Sequence, residues 1–118
     1  MDYSQLSDRE IDAMVAERVL GWRRVVVMPD GRTVGWIEGE VRELPHFSTD
    51  ANAAMSVVEK VRQASGIDVF ISSDCNDGGW WEVEFTDYKP KLEPNPIAMN
   101  QSLPRAICLA ALAATEPH

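Results

Sequence analysis

Residues 102–114 read SLPRAICLAALAA, and from Ala106 onward this stretch has no polar side chain. Ser102 is a suitable N-cap and Pro104 falls in the first turn, where a missing backbone N–H costs nothing, so the stretch predicts a helix. A helix that is apolar on all sides is buried on more than one side. Two arrangements fit: a central helix inside the domain, or a self-association face that resembles a divided core. The second arrangement would place Ile107, Leu109 and Leu112 at an oligomer interface.

The first helix is predicted from its start signal. Ser7 and Glu10 form a capping box, in which each side chain meets the backbone N–H of the other residue. Gly21 is expected to end the helix in a left-handed conformation, with Trp22 folded back onto it. Helical spacing predicts an inner stripe of Ile11, Met14, Val15, Arg18 and Val19, with Asp12, Ala16 and Glu17 on the opposite face.

A second helix is predicted from residue 48 to Gly66. Ser48 is a good N-cap, and Asp50 in the first turn would complement the helix dipole. The buried stripe consists of Ala54, Val57, Val58 and Val61.

Four strands are predicted between the helices. Residues 25–28 and 33–37 form a hairpin across Pro29-Asp30-Gly31, and residues 67–71 and 80–85 form two more strands. In the last strand Trp81, Val83 and Phe85 share one face, while Trp80, Glu82 and Glu84 share a wet one. Residues 38–47 are interpreted as a loop and 87–100 as a connector. The order α-β-β-α-β-β-α predicts one α+β domain over residues 1–118, with helices packed on an antiparallel-rich four-stranded sheet.

The charge balance bounds the possible partners. The 118 residues include 19 acidic and 11 basic side chains, which gives a formal net charge of −8. Nucleic acids are densely negative, so a surface that binds them directly needs an excess of Lys and Arg. We therefore expect no direct nucleic-acid binding. The acidity either serves solubility or forms a face that mimics nucleic acid or docks on a basic protein.

Cysteine usage and hydropathy predict a reduced, cytoplasmic protein. The two cysteines, Cys75 and Cys108, are a poor framework for a secreted domain, and Cys108 lies in an apolar helix where free cysteine packs as a small hydrophobe. No signal-peptide pattern opens the sequence. No apolar run is long enough to span a bilayer, so we expect no membrane association.

The sequence contains few residues that could serve catalysis or metal binding. His46 and Cys75 are the candidate base and nucleophile, but no motif supports their meeting. Residues 74–79, DCNDGG, begin like a calcium loop, yet Phe85 stands where the bidentate carboxylate belongs, so a hairpin turn is the better interpretation. The glycine pairs 35/39 and 78/79 lack the lysine and helix start of a phosphate loop. We expect no enzyme activity, no metal and no cofactor.

Four tryptophans are a high number for this length. Trp22 and Trp81 are most simply core residues. Trp80 lies beside acidic residues on the wet face, where it could contact a base ring or a partner's pocket; the alternative is that it packs under the connector.

Arg23 and Arg24 are candidates for binding the negatively charged part of such a ligand. If a nucleotide-like ligand binds, we expect Trp80 or Trp36 to stack on its ring and Arg23 or Arg24 to contact its phosphate. His46 is a further candidate for ligand or partner binding; its alternative is a structural role at the start of the second helix.

Five segments in order resemble the phage ABA sandwich domain family: residues 19–22, 44–50, 53–60, 81–85 and 103–112, which read VLGW, LPHFSTD, AAMSVVEK, WEVEF and LPRAICLAAL. The resemblance covers nearly the whole chain. It implies a phage or prophage gene and an α/β/α sandwich, but brings no catalytic residues. For a phage protein, the cytoplasm expected from the cysteines and hydropathy is that of the host cell. Met55 departs from the family, which more often has a bulky aromatic there, and residues 32–41 are particular to this chain.

These observations lead to three functional hypotheses. The first is a non-enzymatic phage-encoded binding protein that antagonises host antiviral defence, by binding a host protein or sequestering a nucleotide-like signal. The second is a virion structural or assembly protein that associates through the apolar last helix. The third is a weak hydrolase that uses Cys75.

Overall fold

The computed structural model describes residues 3–65, 68–74, 79–86 and 97–115. Over these ranges three α-helices and six β-strands follow a turn of 3-10 helix at Tyr3–Gln5. The helices are α1 (Asp8–Arg18), α2 (Ala51–Ser65) and α3 (Leu103–Ala114). The strands are β1 (Arg23–Val27), β2 (Thr33–Ile37), β3 (Glu40–Glu43), β4 (Asp68–Asp74), β5 (Trp80–Thr86) and β6 (Ile97–Asn100).

The strands form two separate antiparallel sheets of three strands each. The N-terminal sheet has the order β1-β2-β3, and the C-terminal sheet has the order β4-β5-β6. The α+β class is confirmed, as is the hairpin of β1 and β2. The single four-stranded sheet and the order α-β-β-α-β-β-α are wrong, because two additional strands are present and each completes its own sheet.

Both additional strands lie in segments that we interpreted as irregular. Residues 38–47 contain β3, which pairs with β2 across the two-residue turn Glu38-Gly39. Residues 87–100 contain β6, which pairs with β5 so that Ala98 lies opposite Val83. The predicted turn at residues 75–78, the connector residues 87–96 and the helix stop at Gly66 lie outside the described residues.

Helix α3 is the centre of the packing. It contacts α1, α2, β5 and β6, and every residue from 106 to 112 is buried. Its start agrees with the prediction, since the Ser102 hydroxyl accepts the N–H of Arg105 at 3.4 Å. Of the two arrangements that the sequence left open, the structure therefore favours the central helix.

This placement corrects the proposed oligomer interface. Ile107 and Leu112 are 0% exposed and Leu109 is 8% exposed, and the atoms that cover them belong to the same chain. An interface made by these three side chains would require α3 to leave the core.

Helix α1 begins as predicted but buries more of its surface. The capping box is present, with Ser7 N–H donating to Glu10 at 3.2 Å and Glu10 N–H donating to Ser7 at 3.2 Å. Gly21 has φ +76°, and the N–H of buried Trp22 donates back to the Ala16 carbonyl at 2.9 Å. Asp12 and Ala16, predicted to lie on the polar face, are instead fully buried.

The buried Asp12 connects α1 to the segment before α2. Its Oδ1 accepts the backbone N–H of Ser48 at 2.8 Å, and its Oδ2 pairs with Arg9 Nη1 at 2.8 Å. Ser48 therefore does not cap α2; its hydroxyl donates to the Asp8 carbonyl at 3.1 Å. Asp50 has the capping role, because its Oδ1 accepts the N–H of Asn52 at 2.9 Å.

The predicted inner stripe of α2 is confirmed: Ala54, Val57, Val58 and Val61 are buried.

Candidate functional site

A surface pocket of about 390 Å³ lies on the N-terminal sheet, where the start of β1 meets the end of β2. Its lining consists of Gly21, Arg23, Arg24, Trp36, Ile37, Glu38 and Gly39. Three of the five predicted ligand-binding residues, Arg23, Arg24 and Trp36, are therefore brought together. Arg24 and Trp36 are separated in the sequence by eleven residues of strand and hairpin turn.

The backbone around this pocket has unusual conformations. Arg24 and Glu38 both have φ 52°, and they are the non-glycine residues with positive φ in the part of the chain that the structure describes. Gly21 and Gly39, at φ 76° and 78°, line the same pocket. A left-handed conformation at a non-glycine residue costs about 1–3 kcal/mol, and such residues cluster at functional sites. Both strained non-glycine residues of the described part of the chain, Arg24 and Glu38, therefore line the pocket.

A β-bulge directs the arginines. Arg23 lies opposite Trp36 and Val26 lies opposite Val34, so two β1 residues, Arg24 and Val25, face Gly35 alone. A bulge of this kind bends its strand and changes the direction of one side chain. Here the extra residue is Arg24, and both consecutive arginines line one pocket.

Gly35 permits this local packing. A Cβ at this position would lie 3.0 Å from Trp22 Cε3 and 3.0 Å from Val25 Cγ2, closer than side chains normally approach. The bulged β1 and the buried Trp22 therefore pack directly on the bare backbone of β2. A Cβ at position 35 would require the Trp22 or Val25 side chain to move by a few tenths of an ångström.

The residues that line the pocket carry two guanidinium groups, an indole and a carboxylate. Trp36 is 41% exposed, and it lies beside Arg23 across the β1–β2 pair. Over the described residues, neither Arg23 nor Arg24 has an ion pair within 4 Å. Arginine binds phosphate and carboxylate oxygens through two parallel hydrogen bonds, and an exposed indole stacks on planar rings. The arrangement suits an anionic ligand that carries a planar ring.

The sequence prediction missed four of the seven lining residues. Glu38 and Gly39 were assigned to a loop, Gly21 was considered only as a helix stop, and Ile37 only as a strand residue. The usable signal was the Glu-Gly dipeptide between two short extended segments, which resembles the Asp-Gly of a tight hairpin.

Trp80 and His46 lie away from the pocket. Trp80 begins β5 in the C-terminal sheet and is 38% exposed. His46 is exposed in the loop before α2, where its carbonyl accepts the N–H groups of Thr49 and Asp50 at 3.1 and 2.8 Å. Its Nδ1 lies 3.3 Å from Arg9 Nη1. These contacts fit the structural alternative for His46, and its pairing with Cys75 falls outside the described residues.

The described residues contain no group of three His, Cys, Asp or Glu side chains arranged to hold a metal ion. Among them, no helix combines the length and the apolarity that crossing a membrane requires.

Comparison with known proteins identifies one family. The model of the phage ABA sandwich domain matches residues 13–112, which run from within α1 to the last turns of α3 and include every lining residue of the pocket. No curated protein and no solved structure matches the chain.

Proposed function

The chain belongs to the phage ABA sandwich domain family, and from that premise we propose that it is a non-enzymatic binding protein whose pocket beside Trp36 holds a small nucleotide-like anion. The observation that carries the proposal is the convergence of Arg23, Arg24 and Trp36 on one cavity. Phosphate oxygens would meet the two guanidinium groups, while a base ring would stack on the indole.

The size and lining of the pocket support binding rather than turnover. Ligand sites span about 300–1,000 Å³, and a cavity of about 390 Å³ is at the small end, which suits one nucleotide unit. The lining includes no serine, cysteine, histidine or lysine that could attack a phosphate. Glu38 supplies the carboxylate, which could accept hydrogen bonds from ribose hydroxyls or a base amine.

In a phage, such a protein would act by stoichiometric sequestration. We place it in the host cytoplasm as an antagonist of antiviral defence that removes a nucleotide-like signal. The alternative of a virion assembly protein depended on an exposed α3, and we do not propose it because α3 is buried within the chain. The Cys75 hydrolase stays a prediction, tested by a Cys75→Ser variant.

The proposal is tested by titrating the protein with nucleoside monophosphates and cyclic nucleotides while Trp fluorescence or heat is recorded. Trp36→Ala should weaken the best ligand about tenfold or more, since stacking contributes about 1–3 kcal/mol per base. Trp36→Phe, which keeps a ring, should lose much less. The double variant Arg23→Ala/Arg24→Ala should also weaken binding about tenfold or more.

The matched control is Arg32→Ala/Arg42→Ala. It removes the same charge near the same sheet, but these arginines pair with Asp30 and Glu40 outside the pocket. Equal losses in the two double variants would mean that binding follows net charge alone, and would contradict the proposed site. Absence of binding for every phosphate ligand in the panel would also contradict it.

A further inference from the structure

The N-terminal sheet has one side that the described elements leave exposed. In β2, Thr33, Gly35 and Ile37 face the core, and the first two are buried. Strand alternation and the β1–β2–β3 register place a different set on the opposite side. We call this set the outer face; it consists of Arg23, Val26, Val34, Trp36, Val41 and Glu43.

The β-bulge gives β1 two residues on this face. Arg23 and Val26 are three positions apart, so a regular strand would direct them to opposite sides. The extra residue of the bulge changes this, and Arg23 lies beside Trp36 while Val26 lies beside Val34. The outer face therefore consists of two cross-strand rows, Arg23–Trp36–Val41 and Val26–Val34–Glu43.

Apolar side chains form most of the outer face. Val26 is 52% exposed and Val41 is 54% exposed, and Trp36, on the strand between them, is 41% exposed. Exposed apolar side chains that share one surface mark an interaction site, whereas single ones are ordinary. These three lie on three neighbouring strands of one sheet, so they form such a group.

Two opposite charges occupy diagonal corners of the outer face. Arg23 is at the β1 end of one row, and Glu43 is at the β3 end of the other. Two strand spacings and two residues along the strand place their Cα atoms roughly 12 Å apart. Neither side chain has an ion pair within 4.0 Å among the described residues. The two charges are therefore available to a molecule that covers the face.

We propose that the outer face binds the outer face of a second copy of this chain. A two-fold axis in the plane of contact, perpendicular to the line that joins the charged corners, exchanges those corners. Arg23 of each copy then meets Glu43 of the other, and the valines and Trp36 pack between the two ion pairs. An unrelated partner would have to carry both charges in this arrangement, whereas a second copy already has them.

The dimer would also cover part of the pocket. Arg23 and Trp36 line the pocket, so a second copy and a pocket ligand would compete for these side chains. The inference does not rest on the proposed function, because the dimer is measured in protein without ligand. Loss of the dimer and loss of nucleotide binding are therefore distinguishable results.

The test is sedimentation equilibrium of the full chain over a dilution series. The wild-type chain should sediment as a dimer that dissociates on dilution. Arg23→Glu and Glu43→Arg each place like charges against each other, and each should weaken dimerisation about tenfold or more. The double variant Arg23→Glu/Glu43→Arg should restore the dimer. An equimolar mixture of the two single variants should form a mixed dimer, since each supplies the charge that the other lacks.

Control variants separate the outer face from net charge and from strand stability. Lys60→Glu on α2 and Glu17→Arg on α1 make the same charge changes elsewhere and should keep dimer affinity within about twofold. Val26→Thr/Val41→Thr keeps β-branched side chains but adds hydroxyl groups, and it should weaken the dimer about tenfold or more. Its control is Val27→Thr, which changes an exposed valine on the opposite side of β1 and should leave the dimer intact.

Three results would overturn the proposal. The first is a wild-type chain that stays monomeric at its highest soluble concentration. The second is a dimer that the single charge variants weaken no more than their controls do. The third is a dimer that both single variants lose and that neither the double variant nor the mixture regains, which would show that Arg23 and Glu43 do not meet across the contact.

Discussion

Glu38 is the residue at which this chain departs most clearly from common turn chemistry. It precedes Gly39 in the two-residue turn of the β2–β3 hairpin, and both residues have positive φ, at 52° and 78°. That is the pattern of a type I′ turn, where Asn-Gly or Asp-Gly is strongly preferred. A glutamate adopts this conformation at a cost that asparagine largely avoids.

Replacing Glu38 by Asn should therefore stabilise the fold. We expect the free energy of unfolding to rise by about 0.5–1 kcal/mol, measured by urea denaturation. Glu38→Val should lower it by about 1 kcal/mol or more, because a β-branched residue is poorly tolerated at positive φ. If both variants were destabilised to the same extent, the backbone strain assigned to this turn would be wrong.

The same turn shows why part of the fold escaped prediction. Glu-Gly is a weaker hairpin signal than Asn-Gly or Asp-Gly, so β3 was assigned to a loop even though the alternation around Val41 was present. The capping box at Ser7 and the stripe of α2 were predicted correctly because each depends on near neighbours in sequence. Arg23, Arg24 and Trp36 were identified by residue chemistry, but their convergence depends on a bulge that no local motif encodes.

At the scale of elements, the contact between α1 and the segment before α2 depends on one buried side chain. Asp12 is 0% exposed and holds both the Ser48 N–H and the Arg9 guanidinium. Arg9 also donates to the Leu44 carbonyl at 3.3 Å, so the pair connects the two segments twice. The sequence placed Asp12 on the polar face because helical periodicity cannot show which loop will cover it.

Asp12→Ala should lower the free energy of unfolding by about 3 kcal/mol, because it leaves a buried N–H unsatisfied and a partly buried arginine unpaired. Asp12→Asn keeps an acceptor for Ser48 and should cost less. Thermal or urea unfolding measures both. Glu17→Ala, on the exposed side of α1, is the control and should change stability by less than about 0.5 kcal/mol. A loss no larger than that of the control would refute the role given to Asp12.

At the scale of the whole molecule, the burial of α3 makes stability at high pH depend on the protonation of the Cys108 thiol. Burial, with a smaller contribution from the Asp12 carboxylate, raises the pKa of Cys108 far above its usual value of 9.0. The folded state therefore keeps the proton, while the unfolded chain releases it near that usual value. The contribution of Cys108 is thus fully present below about pH 9 and is lost as pH rises above it.

The test compares the single variant Cys75→Ser with the double variant Cys75→Ser/Cys108→Ala, each unfolded by urea at two pH values. Between about pH 8 and about pH 10, the free energy of unfolding of the single variant should fall by about 1.4 kcal/mol more than that of the double variant. This is the change expected when the unfolded chain releases one proton that the folded state keeps. Groups other than Cys108 titrate alike in both proteins. Identical pH dependence would show that Cys108 is not shielded from solvent.

The central position of α3 also determines when this protein can first exist in the cell. Every other described element precedes α3 along the chain, so the ribosome synthesises α1, α2 and both sheets before the helix that packs between them. Until α3 has been synthesised, the core residues Val57, Val83 and Phe85 cannot be buried against it. A premature stop codon anywhere ahead of Leu103 would therefore act as a complete loss of the gene product and not as a truncation.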